Sequence, residues 1–177
     1  MSLIWRPVPL VKRRARRLDP PHTVVTSRPF PGFTLRFTGA NSDVSPALQQ
    51  AMSKLDTLGL AADWRSPVEL VLAEALNNIA EHAYAGLTPG PVTLTARMTS
   101  ERLHVILRDQ GRALPGRKLP EGVPPKTDVA CANLPEGGFG WFLIRDLTTA
   151  LHYRRTDREN RLQLEFDLTN PPKSADS

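Results

Sequence analysis

The stretch RSPVELVLAEALNNIAEHAYAG, Arg65–Gly86, sets an acid, two adjacent amides and a histidine into an otherwise apolar helical pattern. Ser66 suits an N-cap, Pro67 the first helical position and Glu69 the third position of a capping box, so a helix is expected from about Pro67 to about Ala85. At roughly 100° per residue, Val68, Val71, Leu72, Ala75 and Ile79 share one face. Glu74, Asn78 and His82 follow at i, i+4, i+8 spacing beside that face, while Asn77 and Glu81 point further out. The polar stripe thus lies where a cleft meets a core. Taken singly, each of its members is equally at home on a solvated helix surface, and His82 reads as a structural residue at the helix end.

Around this helix the pattern is mixed. GFTLRFTG, from Gly32, reads as a strand, and SPALQQAMSKLDTLGL as a helix with Ser45 as cap, Pro46 at its start and Gly59 after its end. PVTLTARM and RLHVILRD alternate apolar and polar residues about a short turn at Thr99–Glu101, which is a hairpin signature. A helix is expected from about Phe139 to Thr149. ALHYRRTD and NRLQLEFDLT then form a second hairpin, with Leu162, Leu164, Phe166 and Leu168 on one face. Helices set between antiparallel hairpins imply an α+β two-layer sandwich, its mixed, mostly antiparallel sheet carrying the helices on one face.

The chain has 177 residues, of which 40% are hydrophobic, enough for one domain with a sizeable core. Its single cysteine, Cys131, leaves no intramolecular disulfide and suits a reducing cytoplasm. No apolar run approaches the roughly 20 residues that cross a bilayer, so no membrane association is expected. The net charge of +5 is unevenly spread: residues 1–28 carry a net +6 and residues 29–177 a net −1. Three parts follow: a basic, Pro-rich arm at 1–28, a folded domain at 29–169 and a short tail at 170–177. With its basicity confined to the arm, the folded part is not expected to bind nucleic acid directly.

Two further motifs carry chemistry. Asp109 ends a strand and Gly111 follows it; such an acid accepts hydrogen bonds from an amino-bearing base, although Asp-x-Gly is also an ordinary turn. EGGFGWFLIRDL places Gly137, Gly138 and Gly140 at a helix start, where free N–H groups and the helix dipole favour phosphate. A tight turn would use the same glycines.

In this order, the three pieces resemble the GHKL or Bergerat-type ATPases, which have the histidine kinase-like ATPase fold, and most closely the anti-sigma factor serine kinases of the RsbW type. Glu74-x-x-x-Asn78-x-x-x-His82-Ala83-Tyr84 is similar to their N box, Asp109-x-Gly111 to their G1 box, and Gly138-x-Gly140 with WFLI to their G2 box. The resemblance covers about residues 30–168. It implies ATP and Mg²⁺ as cofactors: Asn78 supplies a metal-holding oxygen, Glu74 is the general base, and Asp109 with Gly111 reads adenine. Gly138 and Gly140 let a lid, Gln110 to Gly137, wrap the phosphates. Ala113 stands where the G1 box more commonly has glycine. No Lys or Arg lies between Lys126 and Arg145, so the positive charge at the γ-phosphate has to come from Mg²⁺ or from Lys118, Lys126 or Arg112 of the lid.

The resemblance further implies a cytoplasmic protein serine/threonine kinase that sequesters a sigma factor or similar regulator and phosphorylates a STAS-domain anti-anti-sigma antagonist. A homodimer is compatible with it. The alternative is an ATP-gated protein-binding module of the same fold that transfers no phosphate. A sensor histidine kinase would need a helical hairpin bearing a phosphoacceptor histidine, and only the basic arm precedes this domain.

Overall fold

The computed structural model describes residues 30–122 and 139–170. Five strands form one sheet: β1 (Gly32–Thr38), β2 (Pro91–Met98), β3 (Arg102–Asp109), β4 (Ala150–Thr156) and β5 (Glu159–Asp167), in the spatial order β1-β2-β3-β5-β4. All four pairings are antiparallel, so the sheet carries none of the parallel pairing that a mixed sheet would have. Three α-helices, α1 (Asn41–Leu58), α2 (Ala62–Asn77) and α3 (Phe139–Leu147), share one core with the inner side of this sheet. The expected two-layer α+β sandwich is what the chain forms.

Alternation along the strands builds the core. Val92, Leu94, Ala96 and Met98 of β2, Leu103, Val105 and Leu107 of β3, and Leu162, Leu164 and Phe166 of β5 are buried on the helix side. Val68, Val71, Leu72 and Ala75 of α2 and Ile79 just after it meet them, each nearly or fully buried, as the helical spacing requires. Burying a side chain of this size contributes about 1.5–3 kcal/mol. Trp64 packs edge-on against Phe166 at 6.1 Å between ring centroids and donates its indole N–H to the Leu168 carbonyl at 3.2 Å.

Both long helices begin earlier than their Ser-Pro pairs suggest. Ala40 and Ala61, not Ser45 and Ser66, are the N-cap residues, and neither helix start has a side-chain cap. Pro46 and Pro67 therefore lie inside the helices, where each removes one backbone hydrogen bond in the first turns. The extra turn offsets that loss by bringing Val44 and Trp64 into the core. The end of α1 follows expectation: Gly59 has φ 92°, and the N–H groups of Gly59 and Leu60 close on the carbonyls of Asp56 and Leu55.

The second helix does not run as an α-helix to Ala85. From Asn78 to Ala83 it widens into a π-helical segment, closed by the Tyr84 N–H on the Ile79 carbonyl at 3.0 Å. Such widening shifts side chains around the axis by one extra residue and is frequent at functional sites. The expected 1–28 arm and most of the 170–177 tail lie outside the described residues, as does Gly138.

Candidate functional site

Four transverse rows cross the sheet on its core side, and at one end they change from apolar to polar. Val92 pairs with Asp109, Asp109 with Asn160, and Asn160 with Arg155, one residue each from β2, β3, β5 and β4. Asp109 and Asn160 are the two buried polar residues of the described chain, at 6% and 4% exposure. They would be unfavourable there if unpaired, and they pair with each other. The Asn160 amide N–H donates to Asp109 Oδ1 at 2.8 Å and to the Arg112 carbonyl at 2.9 Å. Its oxygen accepts from Tyr153 at 2.7 Å and from Arg155 at 2.6 Å.

This cluster fixes the loop after β3. Gly111 N–H donates to Asp109 Oδ1 at 2.9 Å, Arg155 donates to the Gly111 carbonyl at 2.8 Å, and Leu114 N–H donates to the Tyr153 hydroxyl at 3.1 Å. From the other side, Arg112 N–H donates to the Ala83 carbonyl at 2.7 Å. That carbonyl is one of the unpaired groups every helix end leaves. A Cβ on Gly111 would lie 2.6 Å from it, so only glycine permits the approach. The close contact at Gly111 is thus with the end of the π-helical segment, where the sequence suggested a bound ring.

Tyr84, the last residue of the His-Ala-Tyr triplet, is buried and accepts from Gln110 N–H at 3.1 Å while donating to the Pro91 carbonyl at 3.2 Å. Burial raises its phenol pKa. Burial likewise raises the Asp109 pKa; the hydrogen bonds from Asn160 and Gly111 and the Arg155 charge oppose that shift. Both protein hydrogen bonds fall on Oδ1 of Asp109, which leaves Oδ2 for another donor.

A cavity of about 420 Å³ opens beside this carboxylate. Asn78 and His82 line it from the π-helical segment, Asp109, Arg112 and Leu114 from β3 and the loop after it, and Trp141 from α3. The volume falls within the range of small-molecule sites, and an apolar cleft with few polar groups is their usual make-up. The Asn78 Nδ2 atom is buried and has no hydrogen-bond partner, an unmet demand that a ligand in the cleft would answer. His82 is exposed and lines the cavity at the end of the helix.

Glu74 lies one turn before Asn78 and meets the start of α3: a Cβ on Gly140 would overlap its carboxylate. The acid therefore stands beside a helix N-terminus, the end that favours negative charge. Of the sequence-derived residues, Asn78 and Asp109 share the cavity lining, Gly111 shapes its loop, and Glu74 and Gly140 adjoin at α3. Asn160, Arg155 and Tyr153 were not anticipated. For Asn160 a signal existed, since the alternation Asn160, Leu162, Leu164, Phe166 puts an amide on the apolar face of β5.

The described part of the segment after Gln110 packs back toward α3. Arg145 donates from Nε to the Pro120 carbonyl at 2.8 Å, and Gly122 lies so close to the Trp141–Phe142 backbone that a side chain would collide. Pro120 also lines the cavity. Among the described residues there is no cluster of three or more His, Cys, Asp or Glu side chains able to hold a metal by themselves, and no helix is long and apolar enough to cross a membrane.

Residues 37–166 match the histidine kinase-like ATPase domain family. The chain is 32% identical over 118 residues to the serine/threonine-protein kinase BtrW of Bordetella bronchiseptica, covering 64% of this chain and 81% of BtrW. It is 31% identical over 91 residues to the serine-protein kinase RsbW of Halalkalibacterium halodurans, covering 51% of this chain and 55% of that one, so it spans about half the length of this relative. The crystal structure of the RsbU and RsbW domains of Rv1364c from Mycobacterium tuberculosis superposes with a TM-score of 0.55 at 12% identity, over 77% of this chain and 32% of that one, a likeness of fold. The extent of the family match, on a sheet and helices of the corresponding fold, places this chain in the histidine kinase-like ATPase domain family.

Proposed function

We propose that this chain is an ATP-dependent protein serine kinase of a partner-switching pair, cytoplasmic, which sequesters a sigma factor or similar regulator and phosphorylates a STAS-domain antagonist. The observation that carries the proposal is that Asp109 and Asn78 line one cavity. Asp109 offers a free carboxylate oxygen there and Asn78 an amide whose Nδ2 is buried and unpaired, while Glu74, one helical turn before Asn78, sets a carboxylate beside the N-terminus of α3.

Asp109 accepts the amino group of adenine through Oδ2, and Asn160 and Gly111 hold the carboxylate still for it. Asn78 is the residue to hold Mg²⁺, through its amide oxygen, with waters and phosphate oxygens completing the shell as this ion prefers. The ion's contribution, when bound, is to neutralise charge on the phosphates. Arg112, exposed at the cavity, is the nearest candidate for a second positive charge there. Glu74 accepts the proton of the attacking serine hydroxyl; the serine oxygen forms a bond to the γ-phosphorus as the bond from that phosphorus to ADP breaks. The N-terminal turn of α3, with Gly140, is the part that would receive the phosphates.

Glu74→Gln and Asn78→Ala separate these roles. The first is close to isosteric and retains Mg-ATP and partner binding, with phosphate transfer slowed by roughly 10² to 10⁴, the range for a lost general base. The second loses Mg-ATP binding itself. Single-turnover transfer to STAS partners at saturating ATP, beside calorimetric affinities, reads both. Unchanged transfer by Glu74→Gln removes the base, and absence of transfer by the wild-type protein to any STAS partner it binds leaves an ATP-gated binding module.

A further inference from the structure

Neighbouring residues on a strand face opposite sides of a sheet. The row behind Val92, Asp109, Asn160 and Arg155 is therefore on the outer face, and it reads Arg36, Thr93, Arg108, Arg161, Arg154, one residue from each of the five strands in register. With strands about 4.8 Å apart, this row crosses roughly 19 Å. Arg97, also outward, adds a fifth guanidinium on the same face.

Like charges directly opposite on neighbouring strands destabilise a sheet, and here two adjacent pairs do so, Arg108 with Arg161 and Arg161 with Arg154. Little on the protein relieves them. Arg108 reaches Glu159 at 3.6 Å, but among the described residues Arg36, Arg154 and Arg161 form no ion pair. The Nε of Arg161 is buried without any hydrogen-bond partner. The core helices occupy the opposite side of the sheet.

We propose that the arginine row is a docking surface for an acidic face of a protein partner. Carboxylates at i and i+4 on a helix lie about 5–6 Å apart, close to the spacing between strands, so an acidic helix laid across the strands sets its acids over successive arginines. Guanidinium groups bind carboxylates through two parallel hydrogen bonds, a fork a solvated surface does not require. A nucleic acid fits less well. Glu159, Glu165 and Asp167 share the outer face and would repel a continuous row of phosphates, and none of the outward residues of β2, β3 or β5 is Phe, Tyr or Trp; the outward imidazole on these strands, His104, stands 3.3 Å from the Glu165 carboxylate. This surface does not depend on phosphoryl transfer, and its test is independent of that reaction.

The test uses the full chain and a fluorescein-labelled helical peptide carrying Glu at i, i+4 positions, followed by anisotropy at low and physiological salt. A peptide with Gln for Glu and a duplex DNA serve as comparisons. The wild-type protein binds the Glu peptide and not the Gln peptide. Arg36→Glu with Arg154→Glu weakens Glu-peptide binding by about tenfold or more, as charge complementarity requires, with DNA affinity and Mg-ATP affinity unchanged. Should the reversal disturb folding by circular dichroism, the neutral pair Arg36→Gln and Arg154→Gln is read in its place, and the same loss is expected in part. Equal Glu-peptide affinity in wild type and variants assigns binding to the arm and overturns the proposal. A loss of DNA affinity as large as the loss of peptide affinity makes the row a polyphosphate site and overturns it as well.

Discussion

Asn160 reaches across the β3–β5 pairing to donate its amide to Asp109 at 2.8 Å, so one oxygen of the buried carboxylate is committed to the protein and the other is left for a ligand. The pairing decides what the carboxylate reads. An amino group on the ring meets a free acceptor. A carbonyl in the same place, as in guanine, leaves both oxygens facing each other without a proton between them, a mismatch of about 1–3 kcal/mol. ATP should therefore bind about tenfold or more better than GTP, and calorimetry with both nucleotides checks it.

Asp109→Asn tests the same contact from the protein side. The carboxyl pKa is raised chiefly by burial, so the folded state holds the proton more tightly than the unfolded chain. The sign follows: this group favours folding most below its unfolded pKa, and that contribution is lost as pH rises through the raised folded value. At neutral pH the variant should be no less stable than wild type, and any advantage should vanish in acid as the wild-type carboxyl protonates. ATP affinity should fall regardless, because the amide has lost an acceptor lone pair or turned a donor toward the ring. Thermal unfolding across pH, with titration of ATP at neutral pH, measures both.

Asn160→Ala removes the donor to Asp109 and to the Arg112 carbonyl together, and also the acceptor for Tyr153 and Arg155. A loss of about 1–3 kcal/mol in stability is expected from the unsatisfied buried groups. The Asp109 pKa should rise further, visible as a shift of the pH dependence of ATP binding toward higher pH. A chemical-denaturation series and affinities across pH report the two effects.

Gly111→Ala drives a methyl group against the Ala83 carbonyl. The loop can only move away, breaking the Arg112 hydrogen bond at 2.7 Å. Overpacking of this kind costs about 1–3 kcal/mol, and the displaced loop should weaken ATP binding beyond what the stability change explains. Denaturation midpoints beside nucleotide affinities separate the two.

Arg145→Ala frees the carbonyls of Pro120 and Leu119 from α3. Arg145 is exposed, so stability should change little. Nucleotide dissociation should quicken, because Pro120 lines the cavity. Stopped-flow release of a fluorescent ATP analogue is the measurement.

Much of the fold was legible because its signals are local. Period-two alternation placed β2 and β3 to the residue, and the apolar face of α2 was readable from spacing alone. The helix starts were not, since Ser-Pro pairs are equally compatible with a first turn and with a second, and the choice rests on Val44 and Trp64 finding the core. The π-helical turn at Asn78–Ala83 was invisible for a similar reason: it is tied to the loop after β3 through Ala83, a partner distant in sequence. Asp109, Asn78 and Glu74 were singled out by motif. Asn160 and Arg155 follow only once the pairing of β3, β5 and β4 is known, because a hydrogen bond across strands leaves no spacing of its own in the chain.

The sheet register also acts as a check on assembly. Asp109 follows Arg108, Asn160 precedes Arg161 and Arg155 follows Arg154, so each of these three members of the inner polar row has an arginine immediately beside it on the other face. A shift of any of these strands by one residue exchanges the two faces. Such a chain would drive a guanidinium into the apolar core and expose an asparagine or an aspartate to water, losing the Asp109–Asn160 cluster and the outer row at the same stroke. Molecules with a slipped strand are therefore strongly disfavoured, because one shift disrupts the inner polar cluster and the charged outer face together.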